Sequence, residues 1–266
     1  MELHLFQVDA FADTVFEGNP AAIVPLKEWL SVETMQALAA ENNLAETAFF
    51  VPEGEGFRLR WFTPTVEVAL CGHATLATAH VLFTHLGWDK PEIKFQYGDG
   101  ELTVTKQADG MLEMDFPARL MRPTVKLDGL DEALGDKPII LLKGVNLMAV
   151  FEHPQQIADL SPNVYKLAQI TGPMDVGLIA TAACSEGAEF DFVSRFFAPA
   201  HGINEDPVTG SAHCDLTPYW AKRLKKNTLK ARQISKRGGT VLCELRGDRV
   251  FLRGKCADYL KGTFTL

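Results

Sequence analysis

The sequence predicts an α+β fold made of two pseudo-symmetric lobes, each a curled β-sheet around a central α-helix. Three observations predict it. The first is an internal echo. Arg60-Trp61-Phe62-Thr63-Pro64 leads into Cys71-Gly72-His73-Ala74, and 135 positions after Arg60, Arg195-Phe196-Phe197-Ala198-Pro199 leads into Thr209-Gly210-Ser211-Ala212-His213. Gly72 and Gly210 lie 138 apart, and Asn19 with Ala22-Ile23 is echoed 127 positions on by Asn146 with Ala149-Val150. Echoes in one order at nearly one offset mark a duplicated unit. The second observation is that short alternating strands dominate both halves. The third is that strands do not alternate regularly with helices, which argues against a parallel α/β sheet. With 266 residues, 47% of them hydrophobic, the chain can build two lobes of about 130 residues, each with a core.

Taken in order, Ser31 caps a helix that carries Met35, Leu38 and Ala39 on one face. Arg58–Phe62, Ile93–Tyr97, Leu102–Lys106 and Met111–Phe116 alternate as strands, with Gly98-Asp99-Gly100 as a hairpin turn. From Gly72 to about Leu86 the chain is rich in small residues and apolar on most sides, as suits a helix inside a curled sheet. Arg119–Lys137 is charged and poor in pattern. The reading is therefore an N-terminal lobe over 1–118, a boundary region over 119–137 and a C-terminal lobe over 138–266, whose last strand can cross back to the first lobe. A helix follows from Ser161-Pro162 to Ile170, closed by Gly172. Strands are expected at 176–180, 190–197, 241–245, 250–253 and 263–266. Gly210 to about Leu224 is the counterpart of the Gly72 helix, and Pro218 should kink it or shift its start.

Composition excludes several classes. The net charge is −8, and the densest basic stretch, Lys222-Arg223-Leu224-Lys225-Lys226, reads as a solvated helix end rather than a nucleic-acid patch. No signal-peptide pattern opens the chain, and no run reaches the ~18 apolar residues of a membrane span. Five cysteines, none close to another in sequence, fit a reduced cytoplasmic protein. Nucleotide-binding glycine fingerprints are absent. No H-x-x-x-H or C-x-x-C spacing occurs, so no metal site is expected.

A duplicated unit offers a cleft as a small-molecule site. Gly72 and Gly210 open helices whose first-turn N–H groups are unpaired and carry partial positive charge. Two such turns facing one cleft would hold a carboxylate or enolate oxygen without a basic side chain. Glu46 opens an apolar strand, where poor solvation tunes a carboxyl for proton transfer. His73 follows the first turn and Asp206 precedes the second, placed to orient a substrate and share its protons. Asn19, Gly72, Thr209, Gly210 and Ser211 complete the substrate-binding set. Each also has a plain structural reading: strand-end glutamate, core histidine, turn aspartate, first-turn serine. Cys71 has no sequence-level nucleophile signature and is assigned no chemical step.

At these residues the chain resembles the phenazine-biosynthesis isomerases, the PhzF-like family. The resemblance spans the chain through Val8-Asp9-Ala10-Phe11, Gly18-Asn19-Pro20, Ala45-Glu46-Thr47-Ala48-Phe49-Phe50, the pentad leading to Cys71-Gly72-His73-Ala74-Thr75, and Asp206-Pro207-Val208-Thr209-Gly210-Ser211-Ala212-His213. It implies the diaminopimelate-epimerase-like fold, cofactor-free proton transfer in the cleft on a small carboxylate, and commonly a homodimer. The phenazine enzyme isomerises trans-2,3-dihydro-3-hydroxyanthranilate. The family's acid/base glutamate maps onto Glu46, and its supporting histidine, aspartate and serine map onto His73, Asp206 and Ser211. Related racemases use a cysteine from each lobe, but Asp206–Gly210 contains none, which favours a one-base isomerase. A catalytically silent carboxylate-binding protein and an amino- or hydroxy-acid racemase are the competing readings.

Overall fold

The computed structural model describes residues 1–266. Its elements are β1 (Glu2–Ala10), β2 (Asn19–Pro25), α1 (Val32–Asn42), β3 (Glu46–Glu53), β4 (Gly56–Phe62), β5 (Glu67–Val68), α2 (Gly72–Thr84), β6 (Glu92–Tyr97), β7 (Gly100–Lys106) and β8 (Leu112–Pro117). There follow β9 (Arg122–Pro123), α3 (Leu130–Leu134), β10 (Ile140–Lys143), β11 (Leu147–Val150), α4 (Pro154–Asp159), α5 (Val164–Thr171), β12 (Leu178–Ala183) and β13 (Phe192–Ala198). The chain ends with β14 (Ile203–Asp206), α6 (Gly210–Leu224), β15 (Thr228–Gln233), β16 (Gly239–Arg246), β17 (Arg249–Gly254) and β18 (Cys256–Thr265).

These elements form two compact units, residues 1–115 with 252–266, and residues 116–251. The C-terminal strand belongs to the first unit because β18 pairs antiparallel along all of β1, from Glu2↔Thr265 to Ala10↔Cys256. Residues 119–137, read from sequence as a boundary, lie in the second unit. There β9 pairs with β10, and α3 buries Leu130, Ala133 and Leu134.

One pattern of pairing occurs twice. In the first unit β1–β2 is antiparallel, β2–β3 parallel, β3–β4 antiparallel, β4–β5 antiparallel, β4–β6 parallel and β6–β7 antiparallel. In the second unit β10–β11, β11–β12, β12–β13, β13–β14, β13–β15 and β15–β16 repeat those senses in the same order. One long helix sits at the same place in each series, α2 between β5 and β6, and α6 between β14 and β15. The echoed pentads now have a structural explanation. Arg60 makes a two-pronged ion pair with Glu67 at 2.7 Å on each arm, and Arg195 does the same with Glu205 at 2.7 and 2.8 Å. Each guanidinium also lies over the phenylalanine two residues on, Phe62 or Phe197. Fork-to-fork pairing of this kind fixes direction as well as distance.

Small residues let α2 be buried nearly all round, with Ala74, Ala77 and Ala79 fully enclosed. Its buried hydroxyls are satisfied locally: Thr75 donates to the Cys71 carbonyl at 2.6 Å and Thr78 to the Ala74 carbonyl at 2.7 Å. α1 is capped as expected, the Ser31 hydroxyl accepting from the Thr34 N–H, and it packs Met35 and Ala39 against Phe49, Val51 and Phe62. α5 begins at Val164, later than its sequence expectation, because the Asn163 side chain accepts from the Lys166 N–H and caps the helix there. α3 and α4 are too short to give a periodic signal and were not foreseen.

α6 runs unbroken from Gly210 to Leu224 through Pro218, so the expected kink or shifted start does not occur as a break. Proline cannot donate to the carbonyl four residues back. That carbonyl, on Cys214, instead accepts the Arg119 N–H at 3.0 Å. Two buried ionisable groups sit on the same helix. His213 donates Nδ1–H to the Thr209 carbonyl at 2.8 Å, and burial drives its pKa down to about 4. Burial drives the Asp215 carboxyl up to about 6, against the partial help of Asn146 Nδ2 at 3.1 Å and the Arg119 charge.

These shifts act oppositely on stability. Between its lowered folded value and the ordinary 6.5, His213 binds a proton only when unfolded, so acidification destabilises. Between the ordinary 3.8 and its raised value, Asp215 binds a proton only when folded, so acidification stabilises. The two offset each other from about pH 6 to about pH 4. Asp215→Asn is expected to lose roughly 2–3 kcal/mol more than the parent over that interval, and His213→Asn to gain by a similar amount relative to it. Urea midpoints measured at both pH values check this, and identical pH slopes in all three proteins would refute it.

Candidate active site

Three turns of chain build the site in the first unit. Gly18, at φ +65°, occupies a position where an added Cβ would lie 2.1 Å from the Ala10 carbonyl oxygen. Only glycine fits there, and it delivers Asn19, fully buried, as the first residue of β2. The Asp9 carboxylate holds the same loop by accepting the Phe16 N–H at 2.9 Å. Glu46 begins β3 beside Ala21 of β2, as the sequence expects. Strand alternation puts Glu46 on the face opposite Phe49 and Val51, away from α1. His73 lies in the first turn of α2 and is 5% exposed. Cys71 is the extended residue before that helix and gives its first turn no side-chain cap.

His73 Nε2 stands 3.0 Å from Glu46 Oε2, with 6% and 12% of the two side chains exposed. The approach is close but not aligned as a hydrogen bond, and neither atom has another hydrogen-bond partner. Leaving such groups unmet in a buried place costs about 1–3 kcal/mol each, the kind of expense found at functional sites. On the far side of the ring, Asn19 Nδ2 approaches Nδ1 at 3.2 Å, and Cys71 Sγ lies 3.5 Å from the same atom. An amide nitrogen only donates, so in the neutral ring Nδ1 accepts and the proton lies on Nε2, facing Glu46. Burial opposes charge on His73. The negative groups facing it, Cys71 and Glu46, outweigh burial and hold its pKa well above the ordinary histidine range. Burial and the Glu46 charge push the Cys71 thiol up.

In the second unit the other predicted residues form a tied loop. The Thr209 hydroxyl donates to Asp206 Oδ2 at 2.5 Å. Gln233, fully buried, accepts the Thr209 N–H at 2.9 Å and donates to the Asp206 carbonyl at 2.7 Å. Ser235 donates to the Pro207 carbonyl at 2.7 Å. Thr209 precedes α6 without capping it through its side chain, and Ser211 is exposed in the first turn. Asn19, Glu46, Gly72 and His73 are thus assembled in one unit, and Asp206, Thr209, Gly210 and Ser211 in the other. Sequence reasoning missed two residues. Gln233 is 24 positions from the loop it fastens, with no local pattern to flag it. Cys71, assigned no chemical step for want of a nucleophile signature, lies with its sulfur 3.5 Å from His73 Nδ1.

Spacing was the ground for expecting no metal, and two groups of possible donors come together without any such spacing. Glu46, Cys71 and His73 offer ligand atoms all within 4.8 Å of one another, and so do His80, His85 and Asp258. Neither group follows a short sequence motif, because each draws on separate strands and helix ends. In the first group the raised Cys71 pKa disfavours the thiolate a metal requires.

A sequence model of the phenazine biosynthesis-like proteins, PhzC-PhzF, matches residues 8–262. An uncharacterised isomerase of Pseudomonas aeruginosa is 50% identical over 266 residues, covering all of both chains. The crystal structure of a PhzF-family protein from Enterococcus faecalis is 44% identical, covers all of both chains and superposes with a TM-score of 0.94. A predicted epimerase from Pseudomonas aeruginosa, 18% identical with full coverage of both chains and a TM-score of 0.77, shares the fold. No helix of the chain is long and apolar enough to cross a membrane. The duplicated architecture and these likenesses converge: the chain belongs to the phenazine biosynthesis-like, PhzF family, among whose members are relatives named isomerases.

Proposed function

We propose that the protein is a cofactor-independent isomerase that shifts a proton on a small carboxylate substrate, with Glu46 as its general acid and base. The observation that carries this reading is the Glu46–His73 pair, 3.0 Å apart, buried, with both facing atoms lacking a hydrogen bond. Glu46 removes a proton from carbon adjacent to the carboxylate-conjugated system and returns it elsewhere on the same face. His73 orients the carboxyl and exchanges a proton with it, while Asn19 fixes the ring. The uncapped first turn of α2, at Gly72 and His73, stabilises the negative charge that develops. The echoed turn at Gly210 and Ser211 is proposed to bind an anionic group of the substrate, with Asp206 and Thr209 binding its polar groups. A two-thiol racemase finds no support: Thr209 stands where Cys71 stands in the echo, and Cys214 is buried with its thiol pushed up to about 12.

Glu46→Gln is expected to lower turnover by about 10²–10⁴-fold while leaving the fold and substrate affinity largely intact, since the amide keeps the shape but takes up no proton. Solvent deuterium incorporation into the bound carbon acid reads this out. If substrate binds the parent protein but no deuterium enters it, the silent binding reading wins instead. Retained turnover in the variant would mean another group is the base.

Cys71→Ser is expected to change turnover by less than about tenfold, because a buried neutral thiol contributes only a contact to His73. Inorganic phosphate should compete with substrate at roughly tens of millimolar, as a helix-end contact worth up to ~2 kcal/mol allows. Chelators should leave turnover unchanged. Loss of turnover on chelation, in the parent and in Asp258→Asn alike, would overturn the metal-free mechanism.

A further inference from the structure

The other three-donor group lies at the far end of α2, and two local irregularities create it. His80 and His85 are five residues apart, a spacing that does not put two side chains together on a regular helix. Here the helix widens as it ends. The N–H groups of His85 and Leu86 both donate to the Val81 carbonyl, at 2.8 and 3.1 Å, so the last turn closes one residue late and swings His85 toward His80. On β18 the register against β1 slips: Gln7 pairs with Leu260 and Val8 with Asp258, leaving Tyr259 as an extra residue. A bulge of this kind re-aims its neighbours, and Asp258 meets both rings. Its Oδ1 is 3.1 Å from His80 Nε2 and 3.0 Å from His85 Nε2.

We propose that His80, His85 and Asp258 form a zinc-binding site that clamps the end of helix α2 to the C-terminal strand. Two imidazole nitrogens and one carboxylate oxygen are a donor set suited to Zn²⁺. Tetrahedral bonds of about 2.0–2.1 Å place neighbouring ligand atoms roughly 3.3 Å apart. The two separations from Asp258, 3.1 and 3.0 Å, need to open by only a few tenths of an ångström, and all three donor atoms already lie within 4.8 Å of one another. The fourth position goes to water, because the imidazoles are 18% exposed and Asp258 is 45% exposed. Phe6 stacks on His85, 5.2 Å between ring centres, and holds its plane. The Lys106 charge opposes a cation beside His80 and limits affinity. His85 is 12 residues from His73, about 18 Å along a helix. The metal therefore acts on the scaffold that presents His73 and takes no part at Glu46.

The test uses the full-length protein stripped of metal. Titration with Zn²⁺ is expected to show one site per chain at roughly micromolar Kd, with a rise in melting temperature. His85→Gln and Asp258→Asn should each weaken binding at least about tenfold and remove the thermal shift, whereas Cys71→Ser should leave both unchanged. Co²⁺ should give visible bands without thiolate-to-cobalt charge transfer. Circular dichroism of each variant separates lost binding from lost fold, and Asp258→Asn, which keeps the side-chain shape, serves if a histidine variant unfolds. No binding up to about 100 µM Zn²⁺ would overturn the proposal. So would binding that survives both His85→Gln and Asp258→Asn, or a thiolate band lost with Cys71→Ser, which would place the metal at the other group.

Discussion

The constraint on which the rest depends is the burial of α2 by its first turn. A helix start carries unpaired N–H groups, and proteins ordinarily cap them or leave them to water. Here the start is enclosed, the preceding residue is Cys71 rather than a capping side chain, and the helix behind it is made of alanine and self-satisfied threonine. Such a helix can sit inside a curled sheet at little cost everywhere except at that first turn. The partial positive charge there has Glu46 and His73 beside it. Polarity that would be a defect elsewhere becomes a place for an anion.

Duplication explains both what the two units share and what they do not. The shared features are scaffolding: the order of strand pairing, the long helix, and the Arg60–Glu67 and Arg195–Glu205 forks. Asn19 opens β2, Asn146 immediately precedes β11, and each reaches a side chain on the following long helix, His73 in one case and Asp215 in the other. The chemistry is not shared. His73 and Cys71 in one turn are answered by Ser211 and Thr209 in the other. A frame retained in two copies, with an acid/base pair in only one, suits a reaction in which a single group both takes and returns the proton.

Most of the frame was legible because it is repeated. An echo found twice reports on strand order even where each strand is only five or six residues long. Glu46 was legible because a carboxylate at the head of an apolar strand is unusual, and Ser31 because capping is local chemistry. The contact between Glu46 and His73 was not legible. The two are 27 residues apart, and nothing in either segment specifies that β3 and the start of α2 meet. Pro218 misled for the same reason: its cost was reckoned locally, while the compensating donor, the Arg119 N–H, comes from nearly one hundred positions away. The cluster at His80, His85 and Asp258 escaped because it needs a widened helix end and a bulge, neither of which has a sequence signal of its own.

The orientation of His73 bears on how one pair could serve both halves of the proposed isomerisation. A group that removes a proton from carbon must later deliver it, so the site must keep that proton and not lose it to solvent. Asn19 can only donate to Nδ1, which denies the ring a second route for proton exchange on that side. Cys71, held as a neutral thiol by burial, adds contact there without competing for the charge. What remains is one exchangeable position, Nε2, facing one carboxyl oxygen, Oε2, in a nearly dry place. In the proposed reaction a proton taken up by Glu46 stays on its carboxyl in this enclosed place until the substrate accepts it again. Because the two atoms are near but unbonded, Glu46 stays free to turn toward carbon. Perfect alignment with His73 would stabilise the resting pair and raise the barrier to proton abstraction.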